Sequence, residues 1–129
     1  MGQTLDMLLA ADPSKLKNVP TGQVKIKRLS KKLGQPFYIK FKAGTINQMK
    51  EIGEKANDSE TEEMKWTIYE LTFDPDFKSK ELRERFGVTR PVDIVDTILL
   101  GGEVLTVYQA ILKLSGFDKD GLNIEEVKN

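Results

Sequence analysis

Residues 91–116 read PVDIVDTILLGGEVLTVYQAILKLSG, and how this stretch divides decides the fold. Val104, Leu105, Tyr108, Ile111 and Leu112 recur at i, i+1, i+4, i+7 and i+8, which is one face of a 3.6-residue period. Lys113 falls in the last turn of that helix, where a cation suits the negative end of the dipole. Gly116 follows, free to adopt the left-handed conformation that closes a helix. Ahead of it, Ile94, Val95, Ile98 and Leu99 form an apolar face opposite Asp93 and Asp96. Pro91 opens this earlier segment, because a missing N–H costs nothing in a first turn. Gly101-Gly102 reads as the turn that folds both faces onto one core; a single long helix kinked there is the alternative.

Upstream, Ser79 caps a short helix carrying Leu82 and Phe86, and Gly87 ends it. Asp74-Pro75-Asp76-Phe77 stops the helix before, since the residue preceding proline avoids the helical region. That helix starts with a capping box of Ser59 and Glu62 and has Glu60, Glu62 and Glu63 in its first turn. Met64, Thr67, Ile68 and Leu71 mark its main buried face. Trp66, Tyr69 and Phe73 give it a second apolar side, so it is either central or covered by another chain. Thr45 and Gln48 form a second capping box, opening a helix with Ile46, Met49, Ile52 and Ala56 on one face.

Residues 23–42 alternate as a β-hairpin. Val24, Ile26, Phe37, Ile39 and Phe41 take one face, and the connection includes Lys31, Lys32 and Gly34. The other face is basic with one aromatic: Lys25, Lys27, Tyr38, Lys40 and Lys42. A two-stranded ribbon is not stable alone, so the helices must support it. Residues 1–11 form a short amphipathic helix through Leu5, Leu8 and Leu9, too short to persist in water without a partner. Residues 13–22, with two prolines and a glycine, read as an extended linker. The expectation is an α+β fold, mostly α: an N-terminal β-hairpin packed on a bundle of about four to five short helices. Residues 1–22 are a flexible arm and linker, 23–117 a single globular domain, and 118–129 a mobile tail.

Composition narrows the chemistry. The 129 residues contain no Cys and no His. This removes disulfides, the commonest general base and the commonest zinc ligands together. Asp74 and Asp76 could be a carboxylate pair, but no nucleophile with a companion base accompanies them. No phosphate-cradling glycine motif is present. Asp118-Lys119-Asp120-Gly121 resembles a calcium loop, yet its ligand spacing fails at both ends. We therefore expect no catalytic residues, no cofactor and no metal. No apolar run reaches the ~20 residues of a membrane span, and the lack of Cys fits a reducing cytoplasm.

Lys and Arg balance Asp and Glu at 20 each, but unevenly along the chain. Residues 1–50 carry ten cations against Asp6 and Asp12, a balance of +8, and the remainder carries −8. Such polarity suits an acidic partner or self-association. The basic hairpin face could bind nucleic acid, although a neutral protein of pI near 6.3 is a poor candidate.

From Asp74 onward the sequence resembles the XkdN-like family of phage tail assembly chaperones of Gram-positive bacteria. The matching residues occur in order: Pro75, Asp76 and Phe77; Gly87 and Val88; Leu99, Leu100, Gly102 and Glu103; then Leu114, Ser115, Gly116 and Phe117, with the terminal EEVKN. The resemblance extends over roughly residues 20–129, and Gly101 departs from it where relatives carry proline. It implies a non-catalytic chaperone that binds the tape measure protein, recruits tail tube subunits and leaves the finished tail. It also implies a longer form made by ribosomal frameshifting. The partner-binding residues expected are Leu5, Leu8, Leu9, Trp66 and Tyr69 for an apolar client helix, with Lys25, Lys27, Tyr38, Lys40 and Lys42 as a basic face. The rival readings are a nucleic-acid-binding module and a structural tail or baseplate subunit.

Overall fold

Alternating apolar residues build two strands, β1 (Thr21–Lys25) and β2 (Tyr38–Lys42), in the computed structural model, which describes residues 2–117. They pair antiparallel, Thr21 opposite Lys42 and Lys25 opposite Tyr38. A third strand, β3 (Thr72–Asp74), pairs antiparallel with the far edge of β2, giving the order β1-β2-β3. This strand replaces the expected end of a helix. The register shifts between Lys40 and Phe41, and Phe73 is turned outward, 52% exposed.

Helices surround this sheet. Before it lie α1 (Gln3–Ala10) and α2 (Pro13–Lys17). The expected linker thus contains a helical turn, because Asp12 caps it and Pro13 suits a first position. Between β1 and β2 sits α3 (Lys27–Leu33), where a plain hairpin connection was expected. Then come α4 (Ile46–Ala56) and α5 (Glu60–Leu71), joined by Asn57 and Asp58, both at positive φ. After β3 follow α6 (Lys80–Arg85), a 3-10 turn at Pro91–Asp93, α7 (Ile94–Ile98) and α8 (Gly101–Leu114).

The 91–116 stretch is two helices bent by 112°. The glycines do not make the turn. Leu99 and Leu100 make it in extended conformation, and Gly101 and Gly102 already belong to α8. The Glu103 carboxylate accepts the Leu100 N–H at 2.8 Å, which stops an otherwise orphaned donor from fraying the helix start. The inner face of α8 is Val104, Val107 and Ile111, with Leu105 44% exposed. At 100° per residue, that face is rotated by roughly 60° from the sequence expectation. It turns toward Leu114, which packs on the core.

The core lies between the sheet and the helices: Ile39 and Phe41 from β2, Ile52 from α4, Ile68 and Leu71 from α5, Phe77, Ile94 and Val95, and Val107 and Ile111 from α8. The Thr45–Gln48 capping box forms in both directions. Ile46, expected on the inner face of α4, is 81% exposed, since the first position of that helix projects beyond the packed layer. Ser59 caps α5, but Glu62 does not reciprocate, because its carboxylate is held by Arg90. No single helix among the described residues is long and apolar enough to cross a membrane.

Candidate functional site

The unexpected helix α3 forms one wall of an apolar groove. Leu29 and Leu33 lie four residues apart and share a face; Gly34, at φ +75°, ends the helix. Three hydrogen bonds close its neck: Ile26 N–H to Phe37 O at 2.9 Å, Phe37 N–H to Ser30 Oγ at 2.8 Å, and Ser30 Oγ to Ile26 O at 2.9 Å. Opposite stand Leu82 of α6 and Phe86 just after its end, with Ile98 and Thr97 of α7, and Phe37 and Pro75 below. The groove encloses about 320 Å³. Leu33 at its rim is 59% exposed and Phe86 49%.

An ion pair props this wall. The Arg28 guanidinium donates to both Glu103 oxygens, at 2.9 and 3.1 Å, and to the Ile98 carbonyl at 2.8 Å. This fork ties α3 to α7 and α8 at once, a geometry lysine cannot reproduce. The hydrogen bonds from Arg28 hold the Glu103 carboxyl below the usual range against partial burial. Beside Arg28, a second depression of about 400 Å³ runs between β1 and the start of α8, lined by Val24, Lys25, Lys27, Leu100 and Thr106.

The residues expected to bind partners fall into three places. Leu5, Leu8 and Leu9 are 48%, 58% and 75% exposed on α1, which buries no residue of its own. Lys25, Tyr38, Lys40 and Lys42 share the outer face of the sheet. Lys40 Nζ approaches Asp74 at 3.8 Å, which mutes its charge. Lys27 is not on this face, because the strand stops at Lys25 and Lys27 opens α3. Trp66 and Tyr69 are half-buried on α5, edge to face at 5.7 Å, with Lys55 over one ring and Lys78 over the other. Trp66 Nε1 is buried and lacks a hydrogen-bond partner among the described residues. The groove residues Leu29, Leu33, Phe37, Leu82, Phe86 and Ile98 were not among the expected contacts. The Leu29/Leu33 spacing with Gly34 behind it was the available signal.

A charged cluster on the other side of α7 locks that helix to α5. Lys65 is buried, with Nζ 2.6 Å from Asp93 and 3.4 Å from both Asp96 and Glu62. Burial opposes its charge, yet the three carboxylates outweigh burial and raise its pKa. Arg90 bridges Glu62 and Asp93, and its hydrogen bonds hold both carboxyls below their ordinary values. Every charge in the cluster has an opposite neighbour, so it reads as a structural lock.

Asp74 and Asp76 do not form an acid–base pair. Asp76 accepts the Lys78 N–H in a local turn, and Asp74 faces Lys40. No group of acidic side chains suited to a metal occurs among the described residues. The calcium-like Asp118–Gly121 segment lies outside them. What the surface offers is apolar concavity and exposed leucine, which suit the gripping of another chain.

Comparison with known proteins agrees with this character. A family model described as phage XkdN-like tail assembly chaperone protein matches residues 5–128. Two relatives from Bacillus subtilis (strain 168) align over 58 residues: the uncharacterized protein YqbN at 38% identity and the phage-like element PBSX protein XkdN at 36%. Each match covers 44% of this chain and 39% of the relative, so the chain spans about two fifths of these relatives' length. The crystal structure of the protein YqbN superposes with a TM-score of 0.63 at 27% identity, over 84% of this chain and 99% of that one.

Proposed function

This chain belongs to the phage XkdN-like tail assembly chaperone family, and from that premise we propose that it holds the tape measure protein before tail assembly. The role is non-catalytic. The observation that carries it is the groove between α3 and α6, with Leu33 and Phe86 open at its rim. An amphipathic client helix lays apolar side chains at i, i+3 and i+4 spacing into such a groove. The exposed leucines of α1 supply a second grip, because an eight-residue helix needs a partner to persist. The basic sheet face is left to steer an acidic partner, the tail tube subunit being the one the chaperone recruits. This work takes place in the host cytoplasm.

The test is co-expression with the tape measure protein. The unmodified protein keeps the client soluble and co-purifies with it. Leu33→Lys combined with Phe86→Lys abolishes both while leaving the melting temperature within a degree or two, since both side chains are about half exposed. No rescue by the unmodified chain, or full rescue by the double variant, refutes the proposal. Finding the chain in purified virions would instead favour a structural tail subunit.

A further inference from the structure

The outer edge of β1 has a chemistry that selects what can pair with it. Pro20 O accepts from Ala43 N–H, and Ile26 N–H donates to Phe37 O. Because antiparallel ladders alternate, Gly22 and Val24 also turn their backbone groups toward β2. Thr21, Gln23 and Lys25 therefore point N–H and C=O away from the sheet, and all three residues are exposed. Among the described residues no strand pairs with that edge. It offers a donor and an acceptor at every second residue, roughly 6.6 Å apart, which is the spacing of another extended backbone. Nucleic acid matches such a ladder poorly, since its phosphates accept hydrogen bonds but donate none.

The two faces beside this edge differ. On the inner side lies the depression of about 400 Å³ between β1 and the start of α8, lined by Val24, Leu100 and Thr106 with Lys25 and Lys27. Leu100 is 58% exposed there. On the outer side Thr21, Gln23 and Lys25 stand beside Lys42, Lys40 and Tyr38 of β2. Lys40 reaches Asp74 at 3.8 Å. Among the described residues no ion pair engages Lys25, Lys27 or Lys42. A second copy of this chain is the wrong occupant, because pairing edge to edge would merge two cationic faces. A strand with apolar residues on one face and carboxylates on the other suits both sides.

We propose that the outer edge of β1 takes an extended acidic segment of a partner protein as a fourth strand. Its alternate residues divide between the faces. The apolar ones enter the depression beside Val24 and Leu100, and the acidic ones line up beside Thr21, Gln23 and Lys25, within reach of the field of Lys42. Strand addition takes its affinity from main-chain hydrogen bonds and its specificity from alternate side chains. This deepens the recruiting role proposed for the basic sheet face and rests on that reading, turning a general attraction into a fixed register. The client groove between α3 and α6 plays no part in it.

The probe is a synthetic peptide, acetyl-TEIEVET-amide, titrated onto the full chain and followed by amide hydrogen exchange. At about ten times its Kd, the Gln23 and Lys25 amides are expected to exchange about tenfold slower, because they open only in the free fraction. Gly22 and Val24 amides, already bonded to β2, stay unchanged and report that the sheet is intact. The same peptide methylated on its three central backbone nitrogens keeps its charge and side chains but loses donors, and is expected to bind at least about tenfold more weakly. Lys25→Glu combined with Lys27→Glu abolishes binding of the unmethylated peptide, with Gly22 and Val24 still protected. Undiminished binding by that variant overturns the acidic occupant. Equal binding of the methylated peptide, or binding that leaves Gln23 and Lys25 unprotected, overturns the added strand while electrostatic recruitment by the sheet face stands. No binding at all overturns both. Slow exchange at Gln23 and Lys25 in the chain alone shows the edge already covered and overturns the proposal. Tighter binding of a single-stranded DNA oligomer assigns the face to phosphates and likewise overturns it.

Discussion

Replacing Lys65 by Met isolates the charge from the side-chain stem. The stem stays packed, because Met has similar length and flexibility. The cluster changes from two cations and three carboxylates, Lys65 and Arg90 against Glu62, Asp93 and Asp96, to one cation and three. Removing one partner of a fully buried pair costs about 3–5 kcal/mol. Here the carboxylates are 23%, 38% and 50% exposed and regain water, and Arg90 still bridges two of them. Those two facts reduce the expected cost to about 1–3 kcal/mol. At roughly 4 °C per kcal/mol for a domain of this size, the melting point falls by about 4–12 °C. The pH dependence supplies the discriminating result. Glu62 and Asp93 titrate below their ordinary values in the folded protein, so their contribution is present above the unfolded carboxyl pKa and lost as pH falls through the folded one. The Lys65 pKa is raised, so its contribution is complete below the unfolded lysine pKa and fades only in strong alkali. Urea unfolding should therefore show the full penalty of Lys65→Met at pH 7 and a smaller one at acid pH, as the pH falls through the lowered pKa values of Glu62 and Asp93. A penalty of equal size at both pH values would mean that packing, not charge pairing, sets the cost. A variant as stable as the parent at pH 7 would refute the lock altogether.

Two further outcomes follow from packing. Val107→Ala should cost about 1–3 kcal/mol in urea unfolding, because the side chain is fully buried, whereas Leu105→Ala should stay within about 0.5 kcal/mol; the reverse order would mean α8 presents its other face. Gly44→Ala would bring a Cβ 2.8 Å from Met49 Sδ and 3.0 Å from Leu71 Cδ1; both are side-chain ends that can swing aside, so the overpacking cost should stay at or below about 1 kcal/mol, and a loss of several kcal/mol would mean that neither side chain can yield.

Long amphipathic segments were legible because their period is their packing. α4, α5 and α8, the Thr45 cap and the outer-face alternation of Lys25, Tyr38, Lys40 and Lys42 all declare themselves locally. The α+β, mostly helical class followed from them. What escaped was decided by distant partners. Thr72–Asp74 continues the apolar pattern of α5, and only the waiting edge of β2 turns it into a strand. KRLSKKL offers two apolar positions among four cations, so α3 looked like a connection; Ser30 bonding at both sides of its neck makes it a helix. Val107 lost to Leu105 in the sequence because both are apolar, and only the position of the sheet distinguishes them. The groove was hidden for the same reason: its walls come from α3, α6 and α7, each too short to announce a face alone.

The bracket around α3 has a consequence for how such a molecule can vary. Ile26, Ser30 and Phe37 stitch both sides of the neck to each other, so the strand register on either side is set without help from residues 31–36. The insert behaves as a cassette. Leu33, its side chain on the groove with Leu82 and Phe86, is exchangeable without disturbing the ladder. One scaffold can then present a different groove wall by rewriting half a dozen positions.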